Sequence, residues 1–344
     1  MVMAENRQAI HQARRAVGKD LDVEGLALVG CSGGTDSLAL AAAAAFHHRA
    51  RSGRLAAARV GGVVVDHGLQ QGSAEVADRA GEQLTELGLD PVMVIRAEVD
   101  AESSAGPEAA ARSARYAAFS QALADTGASR VLLAHTKDDQ AEQVLLGRAR
   151  GSGTRSLAGI PRRRGPFYRP LLDLSRADTE AICAHEGLVP WQDPANADPR
   201  YLRSRIRSEV MPFLRDRLSA TITDSLARTA QIAADDAAYL EQQARAAFTR
   251  LLQDPDDAGR LSFSQADLSA EPPAIRRRVI ALGIVAVGGT NPASERLQAV
   301  DALLHGSASA GPIELEGHVR AFRGTRNSAF YGKLVLVPPP NPRS

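Results

Sequence analysis

Residues 26–45 read LALVGCSGGTDSLALAAAAA, and they leave this chain few folds to choose from. An apolar run (26–29) breaks at Gly30-Cys31, a Ser/Gly turn follows, and an Ala-rich helical run begins at Ser37. Strand, tight glycine turn and helix together bring backbone N–H groups and a positive helix end onto an anion. Gly33 and Gly34 lack the Cβ atoms that would hold a phosphate off the backbone, and Ser32, Thr35 and Ser37 add hydroxyl donors. Asp36 is the odd member. A carboxylate beside a phosphate cradle is repulsive unless a cation sits between, so Asp36 reads as a handle for Mg2+. No Lys follows the glycines, which excludes a Walker A motif.

The rest of the first half repeats the alternation. Strands are expected at 59–65, ending in Asp66-His67-Gly68-Leu69; at 91–96; at 130–134, ending at His135; and as a short piece at 168–172. Helices are expected at 5–17, from Ser73, from Pro107 with Arg112, Arg115 and Tyr116 on it, at 138–149, at 176–186 and at 202–214. The expected fold is α/β: a parallel twisted sheet with helices on both faces, its ligands gathered outside the carboxyl ends of the strands. Gly33, Asp66 and His135 all fall there.

Beyond residue 216 the character changes. Residues 219–252 make one long helical pattern with Ile222, Leu226, Ile232 and Leu240 as core contacts, and two shorter helices follow at 273–287 and 292–304. From Pro312 the pattern alternates as in a small sheet. The expected organisation is 1–216, an ATP-binding catalytic domain; 217–337, a mostly helical domain with short terminal strands; and 338–344, a disordered tail.

Composition closes off several classes. Two cysteines, Cys31 and Cys183, exclude a disulfide framework or a four-cysteine metal site. The N-terminal residues lack the apolar core of a signal peptide, and the longest apolar stretch, 38–46, falls short of a membrane span, so a cytoplasmic protein without membrane partners is expected. Lys occurs only at Lys19, Lys137 and Lys333, which leaves nearly all positive charge on Arg, the side chain suited to bidentate phosphate contacts.

The segment AHTKDDQAEQ sets His135 at a strand end and puts Asp139 and Glu142 three residues apart, on one helix face. Two carboxylates and an imidazole at the mouth of a phosphate loop suit metal binding, proton transfer or capture of an ammonium group. Asp138 and Asp139 would also complement the helix dipole with no further role.

SGGTDS behind a hydrophobic strand resembles the pyrophosphate loop of the PP-loop ATP pyrophosphatases, of adenine nucleotide α-hydrolase-like fold, which cleave ATP between the α and β phosphates. VDHGL, ARSARY, AHTKDDQAE, RGSG, RPLL and DPANADPRYLRSRIR then follow in the order found in bacterial tRNA(Ile)-lysidine synthetases. The resemblance covers about residues 24–217, and the remainder is similar to that family's first C-terminal domain, as in its short form. It implies an enzyme that adenylates the C2 oxygen of the wobble cytidine of tRNA(Ile) with a CAU anticodon, using ATP. Free L-lysine then displaces AMP to give lysidine.

The same resemblance implies roles. Ser32, Gly33, Gly34, Thr35, Asp36 and Ser37, with Asp66 and His67, bind ATP, and Asp36 carries Mg2+. Arg115 neutralises phosphate charge. His135 and Asp139 position the cytidine, while Asp139 and Glu142 hold and deprotonate lysine. Arg150, Arg155, Arg203, Arg205 and Arg207 grip the anticodon stem-loop. Arg276–Arg278, Arg320, Arg323 and Arg326 check tRNA identity, and a homodimer is expected. Gln70, Gln143 and Ser204 depart from the family's usual Arg, Thr and Asn. The rival readings are cytidine thiolation by another PP-loop tRNA enzyme, which needs paired cysteines or an iron–sulfur cluster, and a non-catalytic ATP-binding sensor.

Overall fold

The computed structural model describes residues 2–21, 25–50, 58–68, 72–99, 106–149, 154–193, 200–253, 255–305 and 310–340. Two compact units result, Met1–Ala234 and Asp235–Ser344.

In the first unit, helix α1 (Val2–Leu21) leads to β1 (Gly25–Cys31), α2 (Thr35–Ala50), β2 (Ala58–Asp66), α3 (Ser73–Glu86) and β3 (Val92–Arg96). Then come α4 (Pro107–Thr126), β4 (Arg130–Leu132), α5 (Lys137–Ala149), α6 (Thr154–Leu157), β5 (Arg163–Arg164) and β6 (Phe167–Tyr168). The sheet order is β3-β2-β1-β4-β6-β5, parallel except for the β5–β6 hairpin. Along β1 the side chains alternate between two cores. Ala27, Val29 and Cys31 join α1 and α2 on one face, and Leu26 and Leu28 join Phe119 and Ala122 of α4 on the other. Burial on both faces is why these strands read as unbroken apolar runs.

Pro107 is the first residue of α4, as its missing N–H favours. The strand expected at 168–172 ends at Tyr168, because Pro170 has no N–H for a ladder and instead opens a 3-10 turn, Pro170–Asp173. Helix α7 (Arg176–Glu186) starts from Ser175 in a reciprocal capping box with Asp178. A helical stretch follows as α8 (Leu202–Arg205), a π-turn (Ile206–Val210) and α9 (Met211–Arg217). No helix among the described residues is long and apolar enough to cross a membrane.

Helix α10 (Ile222–Leu251) matches the long helical pattern, but its contacts differ along its length. Ile222 and Leu226 pack with Ile206 and Met211, and Leu240 packs on the core of the second unit. Ile232, expected in a core, is 58% exposed. The second unit holds a five-stranded sheet ordered β7 (Leu252–Gln253), β8 (Leu261–Ser264), β11 (Lys333–Val337), β10 (Arg320–Arg323), β9 (Ile313–Glu314). Helices α11 (Gln265–Ala270), α12 (Pro273–Ala286) and α13 (Ser294–Leu303) complete it around Phe263, Val279, Ile280 and Leu336.

Candidate active site

β1 pairs with β2 on one side and β4 on the other, so the chain order reverses across β1 and a crevice opens beyond the strand ends. The glycine loop occupies that position. Gly33 takes φ +76, in the left-handed region, and an added Cβ would lie 3.3 Å from Ala80 Cβ, so conformation and space both require glycine. Ser37 shapes the loop: its hydroxyl donates to Gly34 O (2.8 Å) and accepts from Ser32 N–H (3.2 Å). Ser37 is therefore occupied within the turn, whereas Ser32 is exposed. Trp191 N–H donates to Gly33 O (2.9 Å), closing the segment after α7 onto the loop.

Asp36 stands in the first turn of α2. Thr179 of α7 donates its hydroxyl to Asp36 Oδ1 (2.5 Å), and Arg176 Nε lies 4.0 Å from Oδ2. Burial raises the Asp36 carboxyl above its usual range, helped by Asp139 and opposed by Thr179, Arg176 and Arg207. Both cysteines meet at the same loop. Cys31 ends β1, and Cys183 of α7 donates to Thr35 O (3.3 Å). Burial, with Asp36 and Cys31 nearby, pushes the Cys183 thiol up to about 12. It stays protonated and inert.

At the end of β2, Asp66 accepts from Gly68 N–H (2.9 Å). Arg115 Nε donates to His67 Nε2 (3.2 Å), which leaves the His67 proton on Nδ1, a buried donor with no partner among the described residues. Burial and Arg115 both depress the His67 imidazole. Arg169 of the RPLL segment is buried behind this group, donating to Pro161 O (2.9 Å) and Tyr116 Oη (3.1 Å).

The acidic pair lies at the start of α5. Glu142 is 1% exposed and Asp139 6%. Thr136 N–H donates to Asp139 Oδ2 (2.8 Å), so Asp139 caps its own helix. Arg203 donates to Asp139 Oδ1 (3.0 Å) and Glu142 Oε2 (3.1 Å). Arg207 donates to Glu142 Oε1 (2.8 Å) and Oε2 (3.1 Å) and to Asp139 Oδ1 (3.2 Å). Burial pushes the Asp139 carboxyl up, but Arg203, His135, the Thr136 N–H and Arg207 carry it below the usual range. Burial takes the His135 imidazole down to about 4 against the pull of Asp139, and its buried Nδ1 has no partner among the described residues.

Arg203, Arg207, Met211 and Arg215 recur every fourth residue and all face α5: Met211 packs near Ala141 and Arg215 donates to Asp138 Oδ1 (2.9 Å). An ideal α-helix would rotate such a stripe away. The π-turn at Ile206–Val210, with its longer turn, keeps it in line. A cavity of about 490 Å³ opens beside the pair, with Lys137, Asp138, Arg176 and Arg215 in its wall.

The structure thus brings Asp36, His135, Asp139 and Glu142 to one crevice and sets Arg115 with Asp66 and His67 at the neighbouring strand end. Arg203 and Arg207 bind the carboxylates, and Arg205 faces solvent. Arg150 and Gln70 lie outside the described residues, as does the side chain of Arg155. Sequence reasoning missed Arg176, Thr179 and Arg215. The signal for Arg176 was the Ser175–Asp178 capping box, which puts it on the first turn of a helix aimed at the loop.

Residues 6–214 match a family model described as a PP-loop domain, and residues 263–325 match a TilS substrate-binding domain. The chain is 48% identical over 298 residues to the tRNA(Ile)-lysidine synthase of Leifsonia xyli subsp. xyli, 87% of each chain. It is 44% identical over 337 residues to that of Salinispora arenicola, 96% of each. Among solved structures, the U34-tRNA thiolase NcsA from Methanococcus maripaludis with its 4Fe-4S cluster superposes with a TM-score of 0.55 at 15% identity, over 68% of this chain and 80% of that one. That likeness concerns the fold. With a PP-loop match across most of the first unit and relatives this similar along nearly the whole length, the chain belongs to the tRNA(Ile)-lysidine synthase family.

Proposed function

We propose that the chain uses ATP to join free L-lysine to C2 of the wobble cytidine of tRNA(Ile) with a CAU anticodon, forming lysidine in the cytoplasm. The observation that carries this reading is a buried carboxylate pair within one crevice of a pyrophosphate loop. ATP cleavage needs the loop, and an ammonium nucleophile needs the carboxylates.

The chemistry runs in two steps. The cytidine C2 oxygen attacks the α-phosphorus, and the bond to the β-phosphate breaks with its electron pair leaving on pyrophosphate. The Ser32 and Thr35 hydroxyls and the N–H groups of Gly34 and Thr35 are the loop donors for that leaving group, since the Ser32 and Gly33 N–H groups bond within the loop. Arg115 offsets charge growing on the phosphoryl oxygens. The lysine ammonium gives one proton to Asp139 or Glu142, and its nitrogen attacks C2. The C2–O bond then breaks, AMP departs with the electron pair, and the nitrogen sheds a second proton. Neutral His135 orients the pyrimidine.

Asp36 would hold Mg2+ there, a carboxylate in the first turn of α2 directly after the phosphate loop, where a cation would relieve its repulsion with phosphate. The ion would neutralise developing phosphate charge. Among the described residues no group of three His, Cys, Asp or Glu forms a metal site, and the cysteines are inert, which counts against thiolation.

Arg203 and Arg207 are spent on the carboxylates, so the backbone of the anticodon loop falls to Arg205 and neighbouring exposed arginines, with a splayed cytidine entering the crevice. At least one guanidinium must yield when lysine arrives. Incubation with ATP, radiolabelled lysine and total tRNA, then digestion, tests the proposal. Label on a modified cytidine is expected, and label absent from RNA ends it. Light scattering reads the homodimer that the resemblance implies.

A further inference from the structure

Arg176 has no role in the scheme above, yet it occupies the centre of the crevice. Ser175 caps α7, so Arg176 is the first helical residue, and its N–H donates to Asp138 Oδ2 (2.9 Å). Its guanidinium then lies among three carboxylates from two helices. Nε is 4.0 Å from Asp36 Oδ2, and Nη2 is 3.6 Å from Glu142 Oε1 and 3.9 Å from Asp139 Oδ1.

None of these approaches is a hydrogen bond. The shorter hydrogen bonds to these carboxylates come from other donors, Thr179 on Asp36 Oδ1 and Arg203 and Arg207 on the pair. Nη2 is buried and has no hydrogen-bond partner among the described residues. An unmet buried donor costs stability and calls for an acceptor that none of the described residues supplies. The carboxylates hold the guanidinium in place by charge, so the Nη2 donors stay available.

The gap it faces separates the pyrophosphate loop, through Asp36, from the acidic pair where the amine is held. In the reaction proposed above, one group spans that gap: the α-phosphoryl, bonded first to pyrophosphate and then to the cytidine oxygen. We infer that Arg176 binds the α-phosphoryl oxygens through both steps and is a catalytic residue of each. This rests on the two-step reading.

In the first step the oxygen–phosphorus bond forms as the bond to pyrophosphate breaks, and charge gathers on the non-bridging oxygens opposite Nη2. In the second, the C2–O bond breaks and AMP takes the electron pair onto the same phosphate. Arg176 gives up no proton in either; it acts as a fixed cation with pre-aimed donors. Arg115 approaches from the His67 side at the end of β2, so the two arginines hold different faces of the phosphate.

Two variants test this, Arg176→Met and Arg176→Lys, each checked first for an unchanged melting temperature. Calorimetry with α,β-methylene ATP reads binding without chemistry, single turnovers read pyrophosphate release and lysine addition separately, and lysine KM is measured in parallel. Arg176→Met should weaken the analogue about tenfold and slow pyrophosphate release about 10²-fold. Lysine addition to preformed adenylate should also slow, with lysine KM unchanged. Arg176→Lys should recover part of the analogue affinity. Analogue affinity at the wild-type level, with a raised lysine KM as the only defect, would make Arg176 a tether for the acidic pair and overturn the inference. Wild-type protein that releases pyrophosphate on tRNA but adds no lysine would defeat the lysidine reading; the Arg176 binding result would stand.

Discussion

Each unit of this chain buries arginines against carboxylates, and the two clusters are built differently. In the second unit Arg276 and Asp301 are 6% and 5% exposed; Arg276 donates to both Asp301 oxygens and to Ser269 O and Glu271 O, and Arg277 joins on Asp301. Every donor atom of Arg276 is used. In the first unit three arginines crowd Asp139 and Glu142, beside a cavity; among the described residues one arginine has an unmet donor and the neighbouring imidazole a ring nitrogen without a partner. A closed network holds a fold together, whereas a network with spare donors is shaped for something that arrives. Arg276, expected from sequence to meet tRNA, therefore serves packing.

That contrast can be broken. The largest effect expected is on chemistry: Asp139→Asn should cut lysine incorporation about 10²-fold or more, read in single turnovers at saturating lysine. A wild-type rate would remove Asp139 from the reaction and erase the distinction. Next comes Asp301→Ala, which strands a buried guanidinium. About 3–5 kcal/mol of unfolding free energy should go, measured by urea titration. A loss below about 1 kcal/mol would mean that the second cluster is no more structural than a surface pair.

His135 sharpens the comparison through pH. Folded, it binds a proton only near 4, while an unfolded histidine takes one near 6.5. Its contribution to stability is complete above about 6.5 and drains away as pH falls toward 4. His135→Gln should flatten stability over that window; an unchanged slope would show that the depressed imidazole is not there. Smallest is Arg205→Ala, which should reduce the slope of log affinity for tRNA against log salt by about one. An equal slope takes Arg205 off the RNA surface.

The strand-loop-helix was legible because it is local: four apolar residues, a glycine turn and an Ala run specify it within one stretch. His135, Asp139 and Glu142 were legible for the same reason, lying within one ten-residue segment, the two carboxylates at helical spacing. Arg176 was not. Its meaning comes from α7 packing on α2, where Thr179 reaches Asp36 across 143 positions of sequence. Nor could spacing tell that Arg203 and Arg207 turn inward while Arg205 turns out, since the π-turn that aligns the stripe has no local signature. Ile232 satisfied the helical period yet stands exposed, because a period marks a face without saying what covers it.

By itself, then, the sequence determined the parallel α/β class, the phosphate loop and the groups at the strand ends. Short-range sterics and hydrophobic alternation act over a few residues and leave their mark in order. Tertiary structure alone decided which charges meet. Coulomb energy between groups depends on distance and burial, and both are set by how helices far apart in the chain dock on the sheet. The same arginine is a structural tie at 276 and, at 176, a guanidinium with a donor to spare.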